Sequence, residues 1–174
     1  MKEFSPQTLT NILVLATKAK KSTDERGDLF DQVEAEVILK MKAMALPDLL
    51  NLLWSVQEIK RGSAYFYQKL EEEIMSRLRS AKDDEMQLLI ECFAPENDDG
   101  EGGVKAFSEK FIELFLRVVR EKKERFSLKT LVHLIWCFSR SPVLSQNPDI
   151  VELMQDLRDY PRLRESFGTM LQKS

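Results

Sequence analysis

A short apolar segment occurs several times along this chain, and its spacing constrains the fold more than any other feature. The two clearest copies are residues 49–56 and 131–138. Each contains a tryptophan, and Trp54 and Trp136 lie 82 residues apart, which is two periods of 41. A period in this range is typical of arrays of stacked helical hairpins. Such arrays bind their partners along an extended surface.

Two weaker copies, residues 9–16 and 86–93, align with residues 49–56 after shifts of 40 and 37. In each copy the apolar residues recur at i, i+3, i+4 and i+7, which predicts a helix and does not fit the alternation of a strand. The second copy shows this spacing at Leu49, Leu52, Leu53 and Val56. Polar residues precede the copies, and we expect Ser127 and the acidic residues 83–85 to mark helix N-termini.

A second apolar stripe at helical spacing follows every copy, so each copy predicts a helical hairpin. We therefore expect an all-α fold, a right-handed α-solenoid of about four hairpins with a C-terminal capping helix. The predicted repeats are residues 4–43, 44–81, 82–125 and 126–158, the cap is residues 160–174, and together they form one helical-repeat domain, residues 1–174. The apolar residues expected in the cap are Leu163, Phe167, Met170 and Leu171.

The residues that carry enzymatic chemistry are nearly absent from the sequence. The chain has one histidine and two cysteines, and it contains no HExxH, Walker A or GxSxG pattern. Cys92 and Cys137 each lie on an apolar repeat helix, where a small buried residue is the ordinary interpretation. We expect no enzymatic activity, no metal, no cofactor and no small-molecule substrate.

Charge and hydropathy narrow the class of partner and the setting. The net charge is −3 and the isoelectric point is about 5.4, whereas a dedicated nucleic-acid-binding domain is usually basic. No apolar run is long enough to predict a membrane span. The N-terminal residues lack the apolar core of a signal peptide, and no transit peptide is visible in the sequence.

One basic cluster stands out against the acidic background. It lies near the end of the second helix of the third repeat and consists of Arg117, Arg120, Lys122 and Lys123. Two interpretations stay open. The side chains can complement the negative end of a helix dipole, or they can contact phosphate groups.

A row of polar residues interrupts the apolar copies at equivalent places. The pairs are Thr8 and Asn11, Asp48 and Asn51, and Thr130 and His133. Residues at i and i+3 share a helix face, so stacked helices would bring the three pairs into line. The third copy breaks the row, with Glu85 followed by Leu88. This row predicts either a surface that addresses the bases of a bound single strand or an ordinary solvent-exposed helix face.

Three segments resemble a known repeat. Residues 9–13, 48–55 and 131–138 are similar to the L-x-N-[IL]-[LI]-W-[AS]-[FLV] helix of octotricopeptide and heptatricopeptide repeats, which also have relatives in RAP-domain and FAST-kinase-like proteins. The resemblance covers about residues 4–157. It implies an α-solenoid, residence in the mitochondrion or the plastid, and involvement with RNA or a ribosome. No βαβ-like tail follows the repeats, so the resemblance offers no basis for RNA cleavage.

These observations lead to two functional hypotheses. The first is a non-catalytic organellar protein that contacts RNA within a ribonucleoprotein, such as a mitochondrial ribosome, together with neighbouring proteins. The alternative is a protein–protein scaffold, or accessory subunit of a mitochondrial complex, without RNA contact. Val14 and Glu91 occupy the tryptophan position in the other copies, so we expect tryptophan at that position to be a packing residue and not a binding residue.

Overall fold

The regular structure of the chain is helical throughout the residues that the structure describes. The computed structural model describes residue 8, residues 27–58, 62–93, 107–140 and 144–161, and residue 163. The α-helices are α1 (Gly27–Lys40), α2 (Leu46–Glu58), α3 (Ala64–Leu78), α4 (Asp83–Glu91), α5 (Glu109–Lys122), α6 (Leu128–Arg140) and α7 (Pro148–Arg158). Short 3₁₀ turns span Met41–Ala43, Lys123–Arg125 and Leu144–Gln146. The all-α prediction is confirmed for these residues.

The chain divides into two compact units, Met1–Ala81 and Lys82–Ser174. The division falls at the predicted boundary between the second and third repeats. The first copy, residues 9–16, lies outside the described residues, as do Phe167, Met170 and Leu171 of the expected cap. The continuous solenoid, its hand and its cap stay predictions.

Unit 1 contains α1, α2 and α3, with α3 packed against both other helices. The predicted stripe of α2 is completely enclosed, because Leu49, Leu52, Leu53 and Val56 are all buried. From α3 the side chains of Phe66, Leu70, Ile74 and Leu78 complete this core. The hairpin of the second repeat therefore forms as the spacing of its apolar residues predicts.

Two polar contacts join the helices of unit 1. The guanidinium of Arg77, in α3, donates to the backbone carbonyls of Met44 and Lys42 after the end of α1, and it also pairs with Glu73. At the start of α3, Ser63 accepts a hydrogen bond from the Phe66 N–H at 3.1 Å. The backbone N–H of Ser63 donates to Glu34 of α1 at 3.0 Å. Both ends of α3 are thus tied to the preceding chain.

The tight turn before α3 depends on a glycine. Gly62 has a φ of 123°, in the left-handed region that side-chain-bearing residues rarely adopt. A β carbon at this position would approach the ring of Tyr67 to 2.9 Å. Both the backbone angle and the available space therefore favour glycine between α2 and α3.

Unit 2 contains α4 to α7, in which α4 packs against α6, α5 against α7, and α6 against α7. Its core is built around a cluster of phenylalanines: Phe93, Phe107, Phe111, Phe115 and Phe138. The ring of Phe93 lies at the centre, with centroid distances of 4.5 Å to Phe107 and 4.9 Å to Phe115. These separations are in the range where aromatic pairs stabilise a core beyond their burial alone.

A hydrogen-bonded network aligns the N-termini of α4 and α6. Asp83 accepts from the backbone N–H of Ser127 at 3.0 Å, and Gln87 donates to the hydroxyl of Thr130 at 2.9 Å. Ser127 caps α6 by accepting from the Thr130 N–H at 3.2 Å, which confirms the predicted helix start. At the start of α4, the Glu85 carboxylate accepts a hydrogen bond from the backbone N–H of Lys82, the N-cap residue, at 2.8 Å.

The same network determines the ionisation of Asp83. Burial alone would raise the pKa of this carboxyl group. The hydrogen bonds from Ser127, Thr130 and Gln87 favour the charged form and together outweigh the burial, so the pKa of Asp83 is lowered from its ordinary value.

Candidate nucleic-acid interface

One side of α6 is open to solvent and carries an unusual set of side chains. The side chains of this set lie within an arc of about 120° around the helix axis when successive residues are placed 100° apart. We call this set the outer face of α6: Lys129, Val132, His133, Trp136, Ser139 and Arg140. All of them are exposed except His133, which is half-buried. The opposite side of the helix is buried through Leu131, Leu134, Cys137 and Phe138.

The charge of α6 differs from that of the other helices. Among the seven described α-helices, α6 alone contains no aspartate or glutamate. Its two ionised residues are Lys129 near the start and Arg140 at the end. Neither forms an ion pair with any described residue. The outer face is therefore locally cationic in a chain whose net charge is −3.

Trp136 lies in the middle of this face with 49% of its surface exposed. The guanidinium of Arg140 is 5.0 Å from the centroid of the indole ring, and the imidazole of His133 is 5.8 Å from it. Trp136 is therefore not a buried core residue, and the expectation that it is not a binding residue stays a prediction. In a helical wheel, Trp136 falls opposite the buried stripe of α6. The equivalent Trp54 of α2 is half-buried.

Among the described residues of the polar row predicted from the sequence, only Thr130 is buried, and the others are half-buried. Thr130 is completely buried, and its hydroxyl belongs to the network with Ser127 and Gln87. His133, three residues later, reaches the outer face because the edge of the buried stripe falls between the two positions. Asp48 and Asn51 are half-buried on α2 in unit 1.

The remaining pair of the row begins at Thr8, which is helical and half-buried. Asn11 lies outside the described residues. Thr8, Asp48 and Asn51 belong to unit 1, whereas Thr130 and His133 belong to unit 2, so the alignment of the whole row stays a prediction.

The basic cluster of α5 is mixed with acidic side chains. Arg117 is exposed, and Glu113 and Glu121, four residues before and after it, share its face of the helix. Arg120 donates to Glu152 at 2.9 Å and to the carbonyl of Asp149 at 3.2 Å, both on α7.

The two lysines of the cluster are half-buried. The ammonium group of Lys123 lies 5.9 Å from the ring centroid of Tyr160, and Lys122 also has an interaction within the structure. The cluster is thus less available to an anionic partner than Lys129 and Arg140 of α6.

Sequence reasoning did not single out Lys129, Val132 or Arg140. The usable signal was the absence of any carboxylate from residues 128–140, which the printed sequence shows directly. The highest density of basic residues lies outside this helix, in residues 117–125.

Within the described part of the chain, no group of three or more His, Cys, Asp or Glu side chains is arranged to hold a metal ion. None of the described helices has the length and hydropathy that a membrane span requires. No family model, curated protein or solved structure matches the chain.

Proposed function

We propose that this chain is a non-catalytic helical-repeat protein that contacts RNA through the outer face of α6. The observation that carries the proposal is the charge of that helix. It alone among the described α-helices lacks a carboxylate, and it presents Lys129 and Arg140 on either side of an exposed tryptophan. Lysine and arginine bind phosphate oxygens, and an exposed aromatic ring offers a surface for a base.

A net charge of −3 does not oppose a contact of this size. The Debye length at physiological ionic strength is about 8 Å, so exposed carboxylates farther away than that are largely screened. The binding energy then depends on the charges nearest to the outer face, which are those of α6 and the carboxylates of the adjacent helix α4. Exposed carboxylates such as Glu113 and Glu121 of α5 can face basic surfaces of neighbouring proteins in a larger ribonucleoprotein.

The proposal also includes a cellular location, which rests on the sequence resemblance. The resemblance to octotricopeptide and heptatricopeptide repeats supports a mitochondrial location, with the plastid as the alternative, and a continuous right-handed solenoid. It also supports a place in a ribosome or a similar particle. Cosedimentation of the tagged protein with organellar ribosomal subunits tests this setting, and a tagged protein found only outside organelles refutes it.

A second candidate function is a protein scaffold without RNA contact. It is favoured by Val132, which is 42% exposed beside Trp136. Tryptophan and arginine are the residue types that most often dominate the binding energy of protein interfaces. The two functions differ in their salt dependence, because phosphate contacts release counterions and apolar contacts do not.

The test is RNA binding by fluorescence anisotropy at salt concentrations from about 50 to 200 mM. We expect affinity to fall as the salt concentration rises. The double change Lys129→Glu and Arg140→Glu should abolish binding at every concentration. The matched control is Lys42→Glu with Arg79→Glu, which makes the same change in net charge at exposed positions of unit 1.

Two results would count against RNA contact. One is the absence of binding by the unaltered protein at low salt. The other is an equal loss of affinity in the control pair, which would show that only the total charge matters. Retention of a protein partner by the double variant would then favour the scaffold.

A further inference from the structure

We infer that Trp136 is a stacking platform for one unpaired base and that Lys129 and Arg140 hold phosphates on either side of it. The ligand is therefore single-stranded RNA, bound along the axis of α6. This inference rests on the proposed function and deepens it, because it names the form of the RNA and the role of each side chain.

The first support is the exposure of the indole ring. Tryptophan is a large apolar residue that is highly buried on average, yet Trp136 is 49% exposed at the centre of the outer face. This exposure is observed while Arg140 lies 5.0 Å from the ring centroid. The ring thus keeps accessible surface although a cation already neighbours it, and every base can stack on such a surface whatever its sequence.

The second support is the position of the two cations along the helix. At 1.5 Å per residue, the Cα of Lys129 lies about 10 Å before that of Trp136 and the Cα of Arg140 about 6 Å after it, while the guanidinium of Arg140 lies 5.0 Å from the indole centroid. The Cα atoms of Lys129 and Arg140 are therefore about 16 Å apart, which corresponds to no more than about five stacked nucleotides at 3.4 Å each. A short strand can therefore place a base on the indole while neighbouring phosphates reach both cations.

The third support is the charge that borders this path. The neighbouring helix α4, which packs against α6, carries Asp84 and Glu91 as exposed carboxylates. These repel phosphates, so a strand follows the axis of α6 and does not cross onto α4. A duplex is disfavoured because its bases are already stacked and cannot lie on the indole ring.

The experiment measures binding of a fluorescein-labelled oligoadenylate by anisotropy, with the emission of the protein recorded in parallel. The unaltered protein should show quenching of indole emission when the strand binds. Trp136→Phe removes that signal and reports the contribution of Trp54. Trp136→Ala should weaken binding about 5- to 150-fold, which corresponds to the loss of stacking on one base.

Salt dependence separates the roles of the side chains. Two phosphate contacts on a single strand predict a slope of about −1.4 for log K against log salt. Trp136→Ala should weaken binding with this slope unchanged. Lys129→Gln and Arg140→Gln should each reduce the steepness by about 0.7. Because all three residues lie on the open side of α6 or at its end, circular dichroism should show folded variants.

The results that overturn the inference differ from those that overturn the proposed function. If RNA binds but Trp136→Ala has no effect, or if a duplex of the same sequence binds equally well, the stacking role is refuted while RNA contact stands. If no RNA binds and Trp136→Ala instead releases a protein partner, both proposals are refuted and the outer face of α6 belongs to a protein interface.

Discussion

The substitution Phe93→Ala tests whether the phenylalanine cluster holds unit 2 together. The Phe93 side chain is 1% exposed and contacts four other rings, two of them with centroids less than 5 Å away. Truncating a buried phenylalanine to alanine costs about 3–5 kcal/mol, and the close ring pairs place Phe93 in the upper half of that range. We expect a loss of about 4–5 kcal/mol.

This loss is large compared with the stability of the unit. Unit 2 has about 90 residues, and proteins are stable by about 0.05–0.15 kcal/mol per residue, so its free energy of unfolding is about 5–14 kcal/mol. Phe93→Ala thus removes about 30% or more of that energy. Phe93→Leu keeps most of the volume and loses only the ring contacts, and we expect it to cost about 1–2 kcal/mol.

The assay is urea unfolding followed by circular dichroism in the helical region, with the midpoint and the slope fitted separately. Leu39→Ala is the matched control, because Leu39 is also a large apolar residue but is 79% exposed, and its truncation should change stability by less than about 0.5 kcal/mol. If Phe93→Ala costs less than about 1.5 kcal/mol at an unchanged slope, the cluster is not the core of unit 2 and this reasoning is wrong.

Three further predictions concern polar and reactive groups. Arg77→Ala should destabilise unit 1 by about 2 kcal/mol in the same urea titration, because it leaves the carbonyls after α1 without their charged donor. Arg77→Lys should recover less than half of this stability. As a control, Arg79→Ala at an exposed position should change stability little. The folded-state pKa of Asp83 lies below its unfolded value, so its carboxylate stabilises unit 2 above the unfolded pKa, and this contribution is lost as the pH falls through the folded pKa. The stability difference between the unaltered protein and Asp83→Asn should therefore shrink below about pH 4, and a difference that grows there would contradict the network. Burial, with a smaller effect of Glu91, raises the pKa of the Cys137 thiol to about 12. Iodoacetamide at mildly alkaline pH should therefore label Cys137 only after unfolding. Rapid labelling of Cys137 in the folded protein would refute its burial.

Helix positions were predictable from the sequence because one kind of interaction determines them. Apolar residues at i, i+3, i+4 and i+7 must share a face, and burial of that face is what makes each helix stable in water. Leu49 and Leu131, for example, are both completely buried, as their equivalent positions in the copies predict. Ser127 was predictable as a cap because its hydroxyl satisfies a local N–H group that the helix cannot satisfy itself.

The environment of individual side chains was less predictable, because it depends on what packs against each helix. Thr130 and Asp48 occupy equivalent places in the polar row, yet Thr130 is completely buried and Asp48 is half-buried. Trp54 and Trp136 are equivalent in sequence, but Trp54 is half-buried and Trp136 is exposed. Repeat alignment predicts which residues correspond and does not predict which neighbours they meet.

The candidate interface shows the same distinction between composition and placement. The sequence shows that residues 128–140 contain no carboxylate. Only the packing of α6 against α4 and α7 shows that the face with Lys129, Trp136 and Arg140 is open to solvent. In α5, by contrast, placement removes much of the apparent basic charge, since Arg120 is paired with Glu152.

The hydrogen bond between Asp83 and Ser127 affects how far the connection between α4 and α5 can vary in length. It joins the first turns of two helices across 44 residues of chain, so the helices are held in phase by their own ends. The length of residues 94–106 does not enter that alignment, and lengthening a connection changes its closure entropy only slowly. A foreign peptide inserted among those residues should therefore leave α6 in phase with α4, and this makes the connection a natural place to attach a label without disturbing Trp136.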